Sequence, residues 1–83
     1  MNILIVDDNE SLARGLVSYL KSERHDALMA TAVRDGLHLV GTQKFDLVIT
    51  DLRLPDGSGL DIIKSCRSAE DPPEVILMTA FSS

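Results

Sequence analysis

Three aspartates directly follow two short apolar runs and could together bind a cation or react with a phosphoryl group. Asp7 and Asp8 come after the apolar residues 3–6, and Asp51 comes after residues 47–50. Short apolar runs bounded by polar residues are typical of buried strands in a parallel sheet. If these two strands are neighbours, their carboxyl ends bring the three side chains to one edge of the sheet, where open α/β sheets carry their sites.

Three carboxylates in a partly buried site repel one another, so such a cluster normally binds a divalent cation or has a raised pKa. Oxygen-only ligands suit Mg²⁺, which keeps several waters and is completed by a phosphate. Thr79 follows the apolar residues 75–78 and could offer its hydroxyl to a phosphoryl oxygen. The predicted chemistry is attack by one carboxylate on phosphorus to give an acyl phosphate, while a metal neutralises the phosphoryl oxygens.

Strands that alternate with helices must position these residues. The apolar runs predict strands at residues 2–7, 27–31, 46–51 and 74–79. The intervening stretches predict three helices: residues 10–23, a second helix capped by Thr31 and closed by Gly41, and a third helix capped by Ser58. This order predicts an α/β fold, a parallel sheet with right-handed crossovers and helices on both faces.

The helices carry apolar residues at helical spacing, which predicts their buried faces. The residues expected to be buried are Leu12, Leu16, Val17 and Leu20 in the first helix and Leu60, Ile62, Ile63 and Cys66 in the third. A single cysteine permits no internal disulfide, and we interpret Cys66 as a small buried hydrophobe. We interpret Asp56 and Asp61 as solvated surface residues.

Length and charge restrict the classes of protein that this chain can belong to. Its 83 residues suffice for one small domain, residues 1–83, and its net charge of −5 argues against binding of nucleic acid by this chain. No apolar stretch is long enough to span a membrane, and the first residues lack the basic segment of a signal peptide. The cytoplasm is therefore the expected location.

Four motifs together resemble the receiver domain of two-component response regulators. They are Ile5-Val6-Asp7-Asp8, the strand that ends in Asp51, Leu54-Pro55-Asp56-Gly57-Ser58-Gly59, and the strand that ends in Thr79-Ala80. The match has the right order and spacing over nearly the whole chain. The resemblance implies a flavodoxin-like sheet with strand order 2-1-3-4-5. It also implies that Leu54-Pro55 and Gly57 shape a loop over the site.

The resemblance implies a role for each candidate site residue. Asp51 would accept a phosphoryl group from a sensor histidine kinase, so the domain would be a phosphoryl acceptor and not an enzyme. Asp7, Asp8 and Asp51 would bind Mg²⁺, with the backbone carbonyl of Arg53 as a further ligand. Thr79 would be the switch hydroxyl that moves toward the phosphoryl group. A haloacid-dehalogenase-type phosphatase would need a second aspartate two residues after Asp51, where this sequence has Arg53.

The sequence departs from the receiver pattern after the fourth strand. Receivers normally continue with a fourth helix, a fifth strand and a fifth helix, and a lysine at the end of the fifth strand pairs with the phosphoryl group. The lysines of this chain, Lys21, Lys44 and Lys64, all precede Thr79. We therefore expect a truncated receiver domain that binds Mg²⁺ but stabilises a phosphoryl group poorly.

A truncated receiver would present its fourth strand as an edge of the sheet. The apolar residues 75–78 on such an edge would offer unpaired backbone groups to another chain. We therefore expect a homodimer in which the fourth strands meet across a two-fold axis or elements are swapped. The alternative to a phosphoryl acceptor is a non-phosphorylating receiver-like module that self-associates through this strand.

Overall fold

The computed structural model describes residues 1–78 of the chain. In this part the four strands of the main sheet alternate with three helices. Its elements are β1 (Asn2–Val6), α1 (Glu10–Ser22), β2 (Asp26–Ala30), α2 (Val33–Thr42), β3 (Leu47–Asp51), β4 (Arg53–Leu54), β5 (Gly57–Ser58), α3 (Gly59–Arg67) and β6 (Glu74–Met78). Strands β4 and β5 form a small antiparallel hairpin that the sequence analysis did not predict. Strand β6 is the predicted fourth strand of the main sheet.

The main sheet is parallel, has the order β2-β1-β3-β6, and carries helices on both faces. Ile3 and Ile5 of β1 pack with α1 on one face, whereas Leu4 and Val6 pack with α2 and α3 on the other. Because both faces of β1 are covered, its sequence is apolar without alternation. The predicted α/β fold is confirmed, and the order agrees with the first four strands of the receiver pattern.

Helix α1 begins at a side-chain cap and buries a narrow apolar face. The side chain of Asn9 accepts a hydrogen bond from the backbone N–H of Leu12 at 3.1 Å. The buried face consists of Ala13, Leu16, Val17 and Leu20, at positions i, i+3, i+4 and i+7. The prediction that Leu12 is buried was wrong, because it lies one residue before this series and its side chain is 48% exposed.

The N-cap of helix α3 was predicted correctly, but one residue of its predicted buried face is exposed. Ser58 caps it as predicted and accepts the backbone N–H of Leu60 at 3.1 Å. Its buried residues are Gly59, Ile62 and Cys66, again at helical spacing. Leu60 flanks this series and is exposed, contrary to the prediction. Cys66 is buried as predicted, and burial raises the pKa of its thiol.

Helix α2 takes its N-terminal cap from a distant loop, and not from Thr31 as predicted. The N-cap residue is Ala32, whose side chain makes no capping hydrogen bond. The carboxylate of Asp56 instead accepts the backbone N–H groups of Val33 at 2.7 Å and Arg34 at 3.0 Å. These two hydrogen bonds lower the pKa of Asp56. Asp56 is exposed, as interpreted from the sequence, but it is also part of the tertiary structure.

The end of α2 was also predicted wrongly at Gly41. The helix continues through Thr42, and Gln43 is the C-cap residue, whose N–H donates to the carbonyl oxygen of Leu39 at 2.9 Å. The Thr42 hydroxyl donates to the carbonyl oxygen of His38 at 2.9 Å, which satisfies a carbonyl of the last turn. Gly41 therefore serves as an ordinary helical residue.

No helix among residues 1–78 is both long and apolar enough to cross a membrane.

Helix α1 ends in a Schellman motif that has arginine at the position where glycine is usual. His25 N–H donates to the carbonyl oxygen of Leu20, and Arg24 N–H donates to that of Lys21, both at 3.0 Å. Arg24 is the residue in the left-handed conformation, with φ of 68°. A side chain in this conformation costs roughly 1–2 kcal/mol, so the motif is less stable than it would be with glycine.

We predict that Arg24→Gly stabilises the protein by about 0.5–1 kcal/mol, because the strain relieved exceeds the entropy that glycine adds to the unfolded chain. Thermal unfolding should then show a midpoint about 3–6 °C higher. The matched control is Glu23→Gly at the neighbouring C-cap residue, whose φ is −90°. Glycine relieves no strain there, so the control should lower the midpoint; a gain in both variants would contradict the explanation.

Candidate functional site

The carboxylates of Asp7, Asp8 and Asp51 meet at the carboxyl-terminal edge of the sheet. Strands β1 and β3 are adjacent and parallel, with Val6 opposite Thr50 in the register. Asp7, directly after β1, and Asp51, the last residue of β3, therefore lie at the same level. One oxygen from each of the three carboxylates lies within 4.8 Å of the other two. The structure thus brings together the three acidic residues that were predicted to share a site.

The three carboxylates differ in their exposure to water. Asp7 is buried, with 5% of its surface exposed, whereas Asp51 is half-buried and Asp8 is exposed. Burial, followed by the charges of Asp51 and Asp8, raises the pKa of Asp7. The backbone N–H of Asn9 opposes this by donating to Asp7 Oδ1 at 2.9 Å. Burial and the two neighbouring charges therefore disfavour the ionised form of Asp7, and a bound cation would favour it.

Close packing by α3 fixes the backbone of Asp51. The first residue of α3, Gly59, donates its N–H to the carbonyl oxygen of Leu52 at 2.9 Å. A Cβ atom at Gly59 would overlap the carbonyl oxygen of Asp51 and would come within 2.9 Å of Thr50 Oγ1. Only glycine lets α3 approach the end of β3 this closely. Gly59 therefore allows the start of α3 to pack against the backbone of Asp51.

The hairpin of β4 and β5 begins at Arg53, two residues after Asp51. The backbone N–H of Arg53 points toward Asp51 Oδ1 at 3.4 Å, and the Arg53 side chain is exposed. Arg53 therefore lies at the same edge of the sheet as the acidic cluster. The role of its carbonyl oxygen as a metal ligand stays a prediction.

The other predicted site residue, Thr79, lies outside the described residues. Met78, the last described residue of β6, is opposite Asp51 in the β3–β6 ladder. The ion pairs among residues 1–78 are Arg14–Glu10 and Lys44–Asp71, and neither includes a carboxylate of the acidic cluster.

The cluster offers oxygen atoms alone, partly open to solvent, which is the donor set that Mg²⁺ prefers. The burial of Asp7 supplies the observation that favours a cation, since neither ion pair among residues 1–78 includes this carboxylate. Asp51 is half-buried, so its carboxylate is partly open to solvent.

Asp56, in the hairpin that follows β3, has a structural role that sequence reasoning missed. It was interpreted only as a solvated surface residue, and it is exposed. The signal that could have revealed it is the start of α2, where Ala32 precedes the helix and offers no capping group. A helix without a local cap leaves its first N–H groups to a distant side chain or to water.

Comparison with known proteins identifies the family. The family model for the response regulator receiver domain matches residues 3–83. The response regulator protein PilR of Pseudomonas aeruginosa is 36% identical over 80 residues, which are 96% of this chain and 18% of that protein. The KDP operon transcriptional regulatory protein KdpE of Escherichia coli is 36% identical over 76 residues, 92% of this chain and 34% of that protein. The chain thus spans well under half the length of these relatives.

Solved structures agree with the sequence comparison. The non-phosphorylated HemR receiver domain from Leptospira biflexa superposes with a TM-score of 0.87 at 32% identity and covers 99% of this chain and 66% of that one. A CheY-like response regulator receiver domain from Methylobacillus flagellatus superposes with a TM-score of 0.87 at 30% identity, covering 98% of this chain and 70% of that one. The chain belongs to the response regulator receiver domain family.

Proposed function

We propose that Asp51 accepts a phosphoryl group while Asp7, Asp8 and Asp51 bind Mg²⁺. The observation that carries this proposal is the approach of the three carboxylates, with an oxygen from each within 4.8 Å of the others. Bound Mg²⁺ would supply positive charge to the phosphoryl oxygens during transfer. Attack by an Asp51 oxygen on phosphorus forms a carboxyl–phosphate bond, and the bond from phosphorus to the donor breaks.

Two solved relatives support this chemistry. The response regulator TrrA from Thermotoga maritima, 31% identical with a TM-score of 0.86, was solved in complex with Mg²⁺-BeF. A response regulator from Burkholderia pseudomallei, 31% identical with a TM-score of 0.86, has a phosphorylated aspartic acid and a calcium ion. Both are receiver-family proteins with a metal, and the second has the covalent product that we propose for Asp51.

The proposed donor is a sensor histidine kinase, and the proposed location is the cytoplasm, where ATP-dependent kinases act. The chain would act as a phosphoryl acceptor in signalling and would catalyse no turnover of its own. Thr79 and the carbonyl oxygen of Arg53 keep their proposed roles as switch hydroxyl and metal ligand. The net charge of −5 makes nucleic acid an unfavourable partner for this chain.

Self-association is a second candidate function, and strand β6 favours it. Within residues 1–78, β6 pairs with β3 alone, so its other edge has backbone groups free for pairing. Ile76 is 50% exposed and Leu77 is 37% exposed. Because neighbouring residues of a strand lie on opposite faces, apolar surface is exposed on both faces of the sheet at β6. We propose a homodimer of this 83-residue chain through β6.

We expect acetyl phosphate with Mg²⁺ to add one phosphoryl group to the chain, as measured by intact mass. Asp51→Asn should remove the gain because an amide oxygen is a poor nucleophile, and chelation of Mg²⁺ should remove it as well. The matched control is Asp61→Asn, which changes another aspartate outside the acidic cluster and should keep the gain. Equal labelling of Asp51→Asn and the unmodified chain would contradict the assignment of the acceptor.

We expect Asp7→Asn to raise the unfolding midpoint in a chelator by a few degrees, because the neutral amide removes a desolvated charge and its repulsion with Asp8 and Asp51. In the unmodified chain, Mg²⁺ at about ten times its Kd should add about 1.4 kcal/mol to the free energy of unfolding. Asp7→Asn should lose most of this gain.

Calorimetry with and without Mg²⁺ measures both effects of Asp7→Asn. Asp26→Asn is the matched control, since Asp26 is an exposed aspartate at the opposite, amino-terminal end of strand β2. It should leave the Mg²⁺ effect unchanged. A full Mg²⁺ effect in Asp7→Asn would show that Asp7 is no metal ligand.

We expect sedimentation velocity at micromolar concentration to show a dimer that Ile76→Lys converts to monomer, because the charge would be desolvated at the β6 edge. Leu28→Lys is the control on β2, the opposite edge strand, where Leu28 is 39% exposed. It should leave the dimer intact. A stably folded monomer of the unmodified chain would refute the self-association proposal and leave the phosphoryl-acceptor proposal untouched.

A further inference from the structure

We propose that Asp56 is a positioning residue that holds the β4–β5 hairpin against the first turn of α2 and thereby fixes Arg53 beside the acidic cluster. The proposal rests on the proposed Mg²⁺-binding function, because it assigns the hairpin to the support of that site. Asp56 was not among the site residues that the sequence predicted, and its contacts are with the backbone of α2.

The contact joins two segments that are far apart in the sequence. Asp56 Oδ1 accepts the N–H of Val33 at 2.7 Å and Oδ2 accepts the N–H of Arg34 at 3.0 Å, across separations of 23 and 22 residues. Hydrogen bonds from helix N-terminal amides to a carboxylate are short and strong, because the helix end carries partial positive charge. Two such bonds from one carboxylate also fix its orientation.

Asp56 is at the tip of the hairpin, where its position governs the position of the two short strands. Leu54 pairs with Gly57, so Pro55 and Asp56 are the two residues of the turn. Gly57 has φ of 155°, a backbone conformation that side chains rarely adopt. Asp56 is therefore only two residues from β4, the strand that contains Arg53, so its hydrogen bonds to α2 restrain that strand.

Apolar packing brings the hairpin to α2, and Asp56 supplies the directional contact. Leu54 and Val33 are both buried in the core cluster between the sheet and the helices α2 and α3. A Cβ atom at Gly57 would lie 3.4 Å from Val33 Cγ2, so the hairpin backbone is close to this side chain. Apolar packing is non-directional, whereas the paired hydrogen bonds of Asp56 permit one arrangement.

The local alternative for capping α2 is absent from the sequence. Ala32 has φ of −150° and ψ of 161°, the extended conformation of an N-cap residue, but its side chain cannot accept a hydrogen bond. Serine at this position would cap α2 without any contact to the hairpin. The cap function and the hairpin contact are thus combined in Asp56, and a substitution at position 32 can separate them.

The hairpin is also attached to the site at its other end. The N–H of Arg53 lies 3.4 Å from Asp51 Oδ1, and the N–H of Gly59 donates to the carbonyl oxygen of Leu52 at 2.9 Å. The tip contact through Asp56 and these contacts at the base restrain Arg53 from both sides. Loss of the tip contact should let β4 move and should weaken whatever Arg53 contributes to cation binding.

The test compares three variants with the unmodified 83-residue chain: Asp56→Ala, the double variant Ala32→Ser with Asp56→Ala, and the control Asp61→Ala. Asp61 is a second exposed aspartate, close to the hairpin and in the first turn of α3. Three quantities are measured: the unfolding midpoint, the Kd for Mg²⁺ alone by NMR titration, and amide hydrogen exchange at Arg53 and Gly59.

Asp56→Ala should lower the unfolding midpoint, speed exchange at Arg53 and Gly59, and raise the Kd for Mg²⁺ roughly tenfold, as loss of residues that orient metal ligands typically does. The double variant should recover most of the loss in unfolding midpoint, because the serine introduced by Ala32→Ser caps α2 locally. It should recover neither the Mg²⁺ affinity nor the slow exchange at Arg53 and Gly59. Asp61→Ala should retain the Mg²⁺ affinity and the slow exchange.

Recovery of both Mg²⁺ affinity and slow exchange in the double variant would overturn the proposal, since Asp56 would then be a helix cap alone. Unchanged affinity in Asp56→Ala would overturn it as well. Absence of Mg²⁺ binding in the unmodified chain is a different result, because it refutes the proposed metal function. In that case hydrogen exchange alone decides whether Asp56 holds the hairpin.

Discussion

The parallel pairing of β1 with β3 is the constraint on which the site depends. The register that puts Val6 opposite Thr50 makes Asp7 and Asp51 leave the sheet at the same level, although their mutual repulsion opposes this. The apolar residues of both strands are buried on two faces, and this burial favours the pairing that the charges disfavour. A bound cation would reduce this repulsion, which the strands cannot relieve by moving apart because their packing holds them together.

The backbone around Asp51 is positioned by uncharged contacts from α3 and from the hairpin that follows β3. Gly59 lets α3 approach the backbone of Asp51, and the hairpin that follows is held at its base and at its tip. The carboxylate of Asp56 caps the N-terminus of α2 and also orients the hairpin. Helix stability and site geometry are therefore coupled, so a substitution in a loop can alter a helix 22 residues away in the sequence.

Much of this architecture was predictable from local patterns. The uninterrupted apolar residues of β1 and β3 indicated buried parallel strands, and Ser58 indicated a helix start that the structure confirms. The errors share a cause, since Thr31 and Gly41 were assigned as caps from residue type alone. Leu12 and Leu60 were assigned to buried faces in the same way, but burial depends on which side of a helix meets the sheet.

The sequence by itself determined the order of the helices and of the main-sheet strands, the fold class and the three acidic residues of the site, because strand and helix periodicities and strand-end positions are local properties. Only the tertiary structure decided that the three carboxylates approach within 4.8 Å, that Asp7 is the buried one, and that Asp56 caps a helix from a distant loop. Burial and long-range hydrogen bonds arise from the packing of whole elements, and residue type and spacing alone do not specify them.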